Sequence, residues 1–290
     1  MIKRRILLMT DLGWQVKLNE VSGQAGDFLL AKSWEATPND ELIKLVEIFS
    51  GRRFNLGLAG AIGEDEFSQL LLNWCDRKNI DTTYVRAKAD MKLPLTIQLR
   101  SKIRQKDDLA IAIKNTTAIN AQELYGLKEL HDFYFINYQT IDLSWLNEAL
   151  HQARLNQAQT SLHVVDLLKS EFGRFKILLE DVSWLMMSWE LALKIFGDLT
   201  DGELAVRFKS VVKNTVVYTK NKIIVVCDDV LFVVKWNQAK IKLGAQQTAF
   251  AIVRELMSGK RPNQALMVGL VENCASEDLL PEINIMEQKI

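Results

Sequence analysis

Apolar residues recur with two different spacings along this chain, and segments of the two kinds alternate. Residues 39–50 place their apolar side chains three or four positions apart, which predicts a helix that faces a core. Short apolar runs at 6–9, 54–62 and 133–137 predict buried strands. This alternation predicts an α/β fold with a mostly parallel sheet and helices on both of its faces.

The predicted elements extend over nearly the whole chain. Strands are predicted at 6–9, 54–62, 93–99, 133–137, 161–167, 184–187, 214–218, 222–227 and 230–236. Helices are predicted at 39–50, 66–78, 143–156, 190–196, 244–259 and 262–274. Polar, strand-like sequence at about 11–32 and 94–102 lies outside the alternation and predicts a small β lid. Because no segment resembles a linker, we expect 1–290 to form a single domain.

Charge and composition exclude several classes of protein. The 290 residues include 36 Lys and Arg and 36 Asp and Glu, so no general nucleic-acid-binding surface is expected. No window reaches about 18 apolar residues, and the apolar start is too short for a signal peptide, so we expect a cytoplasmic protein without a membrane span. Cys75, Cys227 and Cys274 lie far apart in the sequence, which predicts free thiols and no metal site.

One turn carries most of the functional information. Gly244 opens the helix predicted after the strand at 230–236. A small-residue turn at a helix N-terminus presents unpaired N–H groups and the positive end of the helix dipole, which together attract anions. A phosphoryl-transfer site of this design needs a second glycine and a carboxylate base, but Gln246 and Gln247 stand in those places. Gln cannot act as a general base near neutral pH.

Several segments resemble motifs of the ribokinase/PfkB carbohydrate kinases, in the same order along the chain. Residues 58–67 are similar to the G-x-x-G-D-D-x-F turn, and residues 79–85 to the G-V-D-T-x-x-V segment that follows it. Residues 94–97 resemble the lid strand, residues 181–197 the segment that carries N-x-x-E, and residues 244–248 the G-A-G-D-T signature. The resemblance implies a ribokinase-like three-layer sandwich with a small β lid.

The same resemblance implies a chemistry. Enzymes of this family move the γ-phosphate of ATP to a sugar hydroxyl, with an Asp as the base, turn N–H groups as the anion hole and Mg²⁺ between the phosphates. Gln247 stands at the position of that base, and the anion hole corresponds to Gly244, Ala245 and Gln246. Glu190 matches the Glu that organises the metal. ATP and Mg²⁺ are therefore expected only if this chain is active.

The chain departs from the family pattern at most of the functional positions. Only Asn39 matches within 34–39, where the sugar-binding turn of the family has two glycines. Residues 218–222 lack the glycines of the nucleotide segment. Asp11 aligns with the first sugar-contacting Asp, whereas Trp14 stands where a second Asp is often found. Losses at this many positions predict a catalytically impaired homologue, a pseudokinase.

The N-x-x-E element fits in two registers. One register pairs Met187 with Glu190, and the other pairs Ser188 with Leu191. Glu190 is either a metal-organising residue or an ordinary carboxylate in the first turn of a helix. The Met and Trp residues within 184–189 either line an enlarged adenine pocket or belong to the core.

The other candidates also have two interpretations. Asp11 either binds a hydroxylated ligand or caps the turn after the first strand. Asn39 either contacts a sugar or caps the N-terminus of a helix. His131, His151 and His163 have no Cys or Asp at triad or metal spacing, and we assign them no catalytic role.

Three functions remain open from the sequence. The first is a degenerate sugar-kinase homologue that binds a small sugar-like ligand or acts as a regulator. The second is an active sugar or nucleoside kinase with a displaced base, Asp11 or Glu190. The third is a structural interaction protein. In many relatives the lid mediates dimerisation, so we expect a homodimer in which Trp14, Leu18 and Val21 contribute, together with Phe28.

Overall fold

The structure is a computed structural model that describes residues 4–25, 28–50, 54–101, 109–113, 123, 131–138, 142–236, 244–272 and 284–290. Its strands are β1 (Arg4–Thr10), β2 (Trp14–Ala25), β3 (Phe28–Leu30), β4 (Ser33–Pro38), β5 (Phe54–Ile62), β6 (Asp81–Ala87), β7 (Leu95–Ser101), β8 (Leu109–Ile113), β9 (Phe133–Tyr138), β10 (Gln159–Val164), β11 (Trp184–Ser188), β12 (Thr215–Thr219), β13 (Lys222–Cys227), β14 (Val230–Lys235) and β15 (Asn284–Lys289). Its α-helices are α1 (Asp40–Phe49), α2 (Glu66–Arg77), α3 (Leu143–Leu155), α4 (Phe172–Leu178), α5 (Trp189–Phe196), α6 (Asp201–Lys209), α7 (Ala245–Met257) and α8 (Pro262–Val271).

The chain divides into two compact units. The first unit consists of Met1–Met9, Glu47–Asn55 and Asn120–Ile290, and the second consists of Thr10–Val46 and Leu56–Ile119. The expectation that residues 1–290 form a single domain stays a prediction.

The first unit is built on a sheet whose central strands are apolar and parallel. Its strand order is β15-β14-β13-β12-β11-β10-β9-β1, in which β9 to β12 pair in parallel and β13 to β15 pair antiparallel. Leu162 of β10 is in register with Ile136 and Leu185 on its two neighbours, and all three side chains are fully buried. Strands covered on both faces need continuous apolar sequence, which explains the short apolar runs.

Helix α7 is the most deeply buried helix of this unit among the described residues. Its middle, Ala249–Val253, is inaccessible or nearly so. Helix α8 packs closely against it because Gly269 has no side chain. A Cβ on Gly269 would lie 2.6 Å from Cγ1 of Ile252 and 3.0 Å from the backbone nitrogen of the same residue.

The second unit contains the parallel pair β5 and β6, helices α1 and α2, and a separate small sheet. The small sheet has the order β3-β2-β7-β8, and β4 pairs with β2. Its strands β2 and β7 lie in the two segments predicted to form a β lid. Trp14 was predicted to contribute to a dimer interface, but this was wrong, because it is only 4% exposed.

Most of the predicted elements are confirmed, with ends that shift by one to three residues. The sequence pattern missed β4, β6, β8, β15, α4 and α6. Cys75 and Cys227 are free and buried, and burial raises the pKa of each thiol to about 12. Cys274 lies outside the described residues. None of the helices described by the structure is both long and apolar enough to cross a bilayer.

Candidate functional site

The helix after the candidate phosphate turn begins where the sequence predicts. Gly244 is the N-cap of α7, with extended backbone angles of φ −63° and ψ 162°. Its carbonyl oxygen accepts hydrogen bonds from the backbone N–H of Thr248 at 3.0 Å and from the Thr248 hydroxyl at 3.2 Å. The N–H groups of the first helical turn and the positive end of the helix dipole therefore meet at this turn.

The side chain of Gln247 folds back onto this turn. Gln247 is only 9% exposed, and its Oε1 lies 2.5 Å from the position that a Cβ on residue 244 would take. Gln247 is the third residue of α7, a position from which Gln or Glu commonly reaches back toward the N-cap. The amide oxygen of Gln247 therefore lies at the helix N-terminus where an anion would otherwise bind.

Three polar side chains meet across the carboxyl ends of β9, β10 and β12. Oδ1 of Asn137 lies 2.5 Å from Nδ1 of His163, and Nε2 of His163 lies 2.8 Å from the hydroxyl of Tyr218. Phe250 of α7 packs edge-on against the imidazole, with the ring centroids 5.0 Å apart. Burial lowers the pKa of His163 to about 3, so its imidazole is neutral at pH 7.

Sequence patterns assigned His163 no role because its partners are distant along the chain. Asn137 is 26 residues away and Tyr218 is 55 residues away, so only the order of the strands brings the three together. A signal was nevertheless present. Each of the three is a polar or hydroxyl-bearing residue near the carboxyl end of a largely buried strand.

In the second unit, Asn39 caps helix α1. Its Oδ1 accepts a hydrogen bond from the N–H of Leu42 at 2.8 Å, and its Nδ2 donates to the backbone carbonyl of Asp11 at 2.9 Å. Both polar ends of the Asn39 side chain are thus used to fix the start of the helix and the residue that follows β1. Asp11 itself is half-buried.

A second polar group surrounds the first turn of α1. Nε2 of the buried Gln15 donates to the carbonyl of Pro38 at 3.0 Å and to Oδ1 of Asp40 at 2.6 Å. Nζ of Lys17 lies 2.7 Å from the same Asp40 oxygen. Partial burial would raise the pKa of Asp40, but the hydrogen bonds from Lys17 and Gln15 outweigh it and lower that pKa. Asp40 is therefore an ionised carboxylate at neutral pH, held through its Oδ1 by Gln15 and Lys17.

The segment that resembles the G-x-x-G-D-D-x-F turn is a structural joint. Oδ1 of Asp65 accepts from the N–H of Ser68 at 3.0 Å and caps α2, while its Oδ2 accepts from the N–H of Leu93 at 2.8 Å. A Cβ on Gly63 would lie 2.1 Å from the carbonyl oxygen of Met91. This motif therefore ties the turn between β5 and α2 to the chain before β7.

The role of Glu190 as a metal-organising residue stays a prediction. Met187 is fully buried in β11, and the hydroxyl of Ser188 caps α5 by accepting from the N–H of Leu191 at 3.1 Å. Glu190 lies exposed in the first turn of that helix. Among the described residues, no three His, Cys, Asp or Glu side chains could hold a metal ion together. Mg²⁺ usually keeps several waters and binds through one or two carboxylates together with substrate phosphates, so the single exposed carboxylate of Glu190 is compatible with that role.

No family model and no curated protein matches this sequence. Solved structures do match, among them a carbohydrate kinase from Agrobacterium tumefaciens, at 13% identity and a TM-score of 0.72 over 98% of this chain and 100% of that one. A PfkB protein from Polaromonas sp. JS666 has 15% identity and a TM-score of 0.69 over 93% and 94% of the two chains. A ribokinase from Thermotoga maritima has 14% identity and a TM-score of 0.66 over 93% and 91%. The chain therefore has the fold of the ribokinase/PfkB carbohydrate kinases.

Proposed function

We propose that this protein binds a small hydroxylated ligand, such as a sugar or a nucleoside, and does not transfer phosphate to it. The observation that carries the proposal is the amide of Gln247 at the N-terminus of α7, where the resemblance expects a carboxylate base. An amide takes up no proton near neutral pH, and its oxygen competes with a phosphate oxygen for the helix N-terminus. Both effects oppose phosphoryl transfer.

We do not expect His163, Asp40 or Glu190 to replace the missing base. His163 contacts α7 through Phe250, but with a pKa of about 3 it does not accept a proton at pH 7. Asp40 is held by Lys17 and Gln15. Glu190, one candidate for a displaced base, is exposed to solvent on the first turn of α5.

Ligand binding is the part of the family's function that the chain is best equipped to keep. Asp11 stands directly after a strand, where the resemblance places the first sugar-contacting Asp, and a carboxylate accepts hydrogen bonds from sugar hydroxyls. Asn39 serves to hold the backbone of Asp11 in place. The ligand class follows from relatives in fold that are described as a carbohydrate kinase and a ribokinase.

The test is an ADP-release assay with ATP, Mg²⁺ and a panel of hexoses, pentoses and nucleosides, paired with thermal-shift measurements on the same panel. Loss of a general base costs about 10²–10⁴-fold. A disturbed anion hole costs a further factor of about 10²–10³. We expect no turnover by the unmodified protein but a rise in melting temperature with at least one ligand.

Two variants sharpen this test. Gln247→Asp alone restores the carboxylate but leaves Gln246 in the turn, so we expect little activity. The double change Gln246→Gly with Gln247→Asp is expected to restore a trace. Coupled ADP release by the unmodified protein with any of these substrates would refute the non-catalytic function. Asp11→Asn should remove the thermal shift, and an unchanged shift would exclude Asp11 from the ligand site.

We also propose that the small sheet of the second unit mediates homodimerisation. Two large apolar side chains on it are exposed, Trp34 at 68% and Ile111 at 54%. Light scattering should show a dimer that Trp34→Glu or Ile111→Lys dissociates. Ile177→Lys, at a residue of the first unit that is 70% exposed, is the matched control and should leave the mass unchanged. A monomeric wild type would refute the proposal.

A further inference from the structure

The small sheet of the second unit has an apolar face that is partly open to solvent. Side chains alternate between the two faces along each strand, so residues paired across the strands share a face. Ile111 on β8 and Trp34 on β4 both belong to the apolar face, and they are 54% and 68% exposed. Two rows of paired residues across β4, β2, β7 and β8 form this face: Ala36, Val16, Ile97 and Ile111, and beside them Trp34, Leu18, Leu99 and Leu109.

The polar face of the small sheet is turned toward the start of α1. Gln15 and Lys17 of β2 lie on this face, where Gln15 is 3% exposed and the Lys17 side chain 14%. Nε2 of Gln15 and Nζ of Lys17 reach the same atom, Oδ1 of Asp40, at 2.6 Å and 2.7 Å. The sheet therefore buries polar side chains and exposes apolar ones, the reverse of the arrangement that is usual for a sheet with one face in water.

These contacts close the corner at which the chain passes from β4 to α1. Asn39 stands at this corner, and its N–H donates to the carbonyl of Gly13, directly before β2, at 2.9 Å. Asp40 follows, and within the described residues it is the only ion-pair partner of Lys17. Swinging the small sheet away from α1 would therefore leave a little-exposed ammonium without its counter-charge, which is costly in free energy.

We propose that Lys17, Asp40 and Gln15 form a latch that fixes the small sheet against α1 and so pre-organises its apolar face for association with a second copy of this chain. The first half of this inference stands on the contacts of the corner alone, and the second half rests on the homodimer proposed above. A surface that is already fixed loses less conformational entropy when it binds. The latch therefore favours the dimer although none of its three residues lies on the apolar face.

Amide hydrogen exchange measures the latch in the full-length protein, because exchange in a strand reports the free energy of its local opening. Lys17→Met and Asp40→Asn each remove the ion pair. Each should speed exchange in residues 14–25 and 33–38 about tenfold, the effect of losing one hydrogen bond to a charged group. Exchange in α2, a helix of the same unit that carries none of the three residues, should stay unchanged.

Three further variants show whether the ion pair is the cause. Lys17→Met combined with Asp40→Asn should also exchange about tenfold faster, because both single changes break the same contact. Lys17→Arg keeps the positive charge and should exchange close to the rate of the unmodified protein. Lys32→Met is the matched control on the same sheet. It removes an ion pair with Glu20 whose side chains are 73% and 42% exposed, and because exposed pairs contribute little, exchange should stay unchanged.

Light scattering over a dilution series measures the second half of the inference. Lys17→Met should raise the dissociation constant of the homodimer about tenfold, because the loosened sheet has to be ordered again on association. Lys32→Met should leave the dissociation constant unchanged.

The outcomes separate the latch from the homodimer. Unchanged exchange in the single variants, or an acceleration of about a hundredfold in the double variant, overturns the latch. Faster exchange with an unchanged dissociation constant overturns the role of the latch in association. A monomeric unmodified protein refutes the homodimer and with it the second half of the inference, and the exchange rates still decide on the latch.

Discussion

The buried imidazole of His163 makes the stability of the protein depend on pH in a calculable way. Its pKa lies at about 3 in the folded chain and at the ordinary value of 6.5 in an unfolded one. A pKa that folding lowers contributes stability above the unfolded value, and this stability is lost as the pH falls below it. Acidification from pH 7.5 to 5.5 protonates His163 only in the unfolded state.

The size of the effect follows from these two pKa values. Between pH 7.5 and 5.5 the unfolded imidazole passes from mostly neutral to mostly charged, and the partition function of the unfolded state rises tenfold. The free energy of unfolding should therefore fall by about 1.4 kcal/mol through this residue alone. Carboxylates with ordinary pKa values titrate lower, so they contribute little in this window.

The assay is urea denaturation at pH 7.5 and pH 5.5 of the unmodified protein and of His163→Gln. The variant is expected to be less stable at pH 7.5, because Gln cannot satisfy Asn137 and Tyr218 with the same geometry. Its loss on acidification should be smaller than that of the wild type by about 1.4 kcal/mol. His151→Gln, at a residue on α3 that is only half-buried, is the matched control and should keep the wild-type dependence on pH.

Equal losses in the wild type and in His163→Gln would refute the reasoning. That result would mean that the folded protein also protonates His163 near pH 6, and that the imidazole is less enclosed than its contacts with Phe250 and Tyr218 indicate.

Three further predictions concern the packing of the chain. Thr215→Val should raise the free energy of unfolding by about 1 kcal/mol in denaturation, because the fully buried Thr215 hydroxyl has no hydrogen-bond partner among the described residues. Glu255→Leu should lower it by about 3 kcal/mol, because Lys260 loses the buried carboxylate with which it pairs. Gly63→Ala should lower the melting temperature and the yield, at a cost of about 1–3 kcal/mol, because the new methyl meets the backbone of Met91. A stable Gly63→Ala protein, a neutral Glu255→Leu or a destabilising Thr215→Val would contradict these packing arguments.

The sequence predicted helices and strands well where one face of the element, or the whole element, is buried in the core. The helix predicted at 39–50 runs from Asp40 to Phe49, because the period of its apolar residues and its Asn39 cap are local features. The strand β15 was missed because its sequence is largely polar and its side chains are largely exposed, so that pairing with β14 is what makes it a strand. Pairing between distant segments leaves no periodic trace in the sequence.

The residues of the candidate site also fall into local and non-local groups. The capping role of Asn39 depends on a neighbour in the sequence, Leu42, and it was among the interpretations that the sequence offered. The chain of Asn137, His163 and Tyr218 depends on strands from three separate parts of the sequence, and no local pattern predicts it. Polar residues near the carboxyl ends of several buried strands are the signal to look for in similar cases.

Gly244 matches a motif residue without being required by the structure around it. In the sequence it resembles the first glycine of a phosphate-binding turn. In the structure its backbone angles are open to any residue, and the atom nearest to a Cβ at this position would be Oε1 of Gln247, at 2.5 Å, the far end of a flexible side chain that can shift. The glycine therefore gives no independent support for phosphate binding. Because the Gln247 side chain occupies the space beside Gly244, the function of this turn has to be judged from both residues.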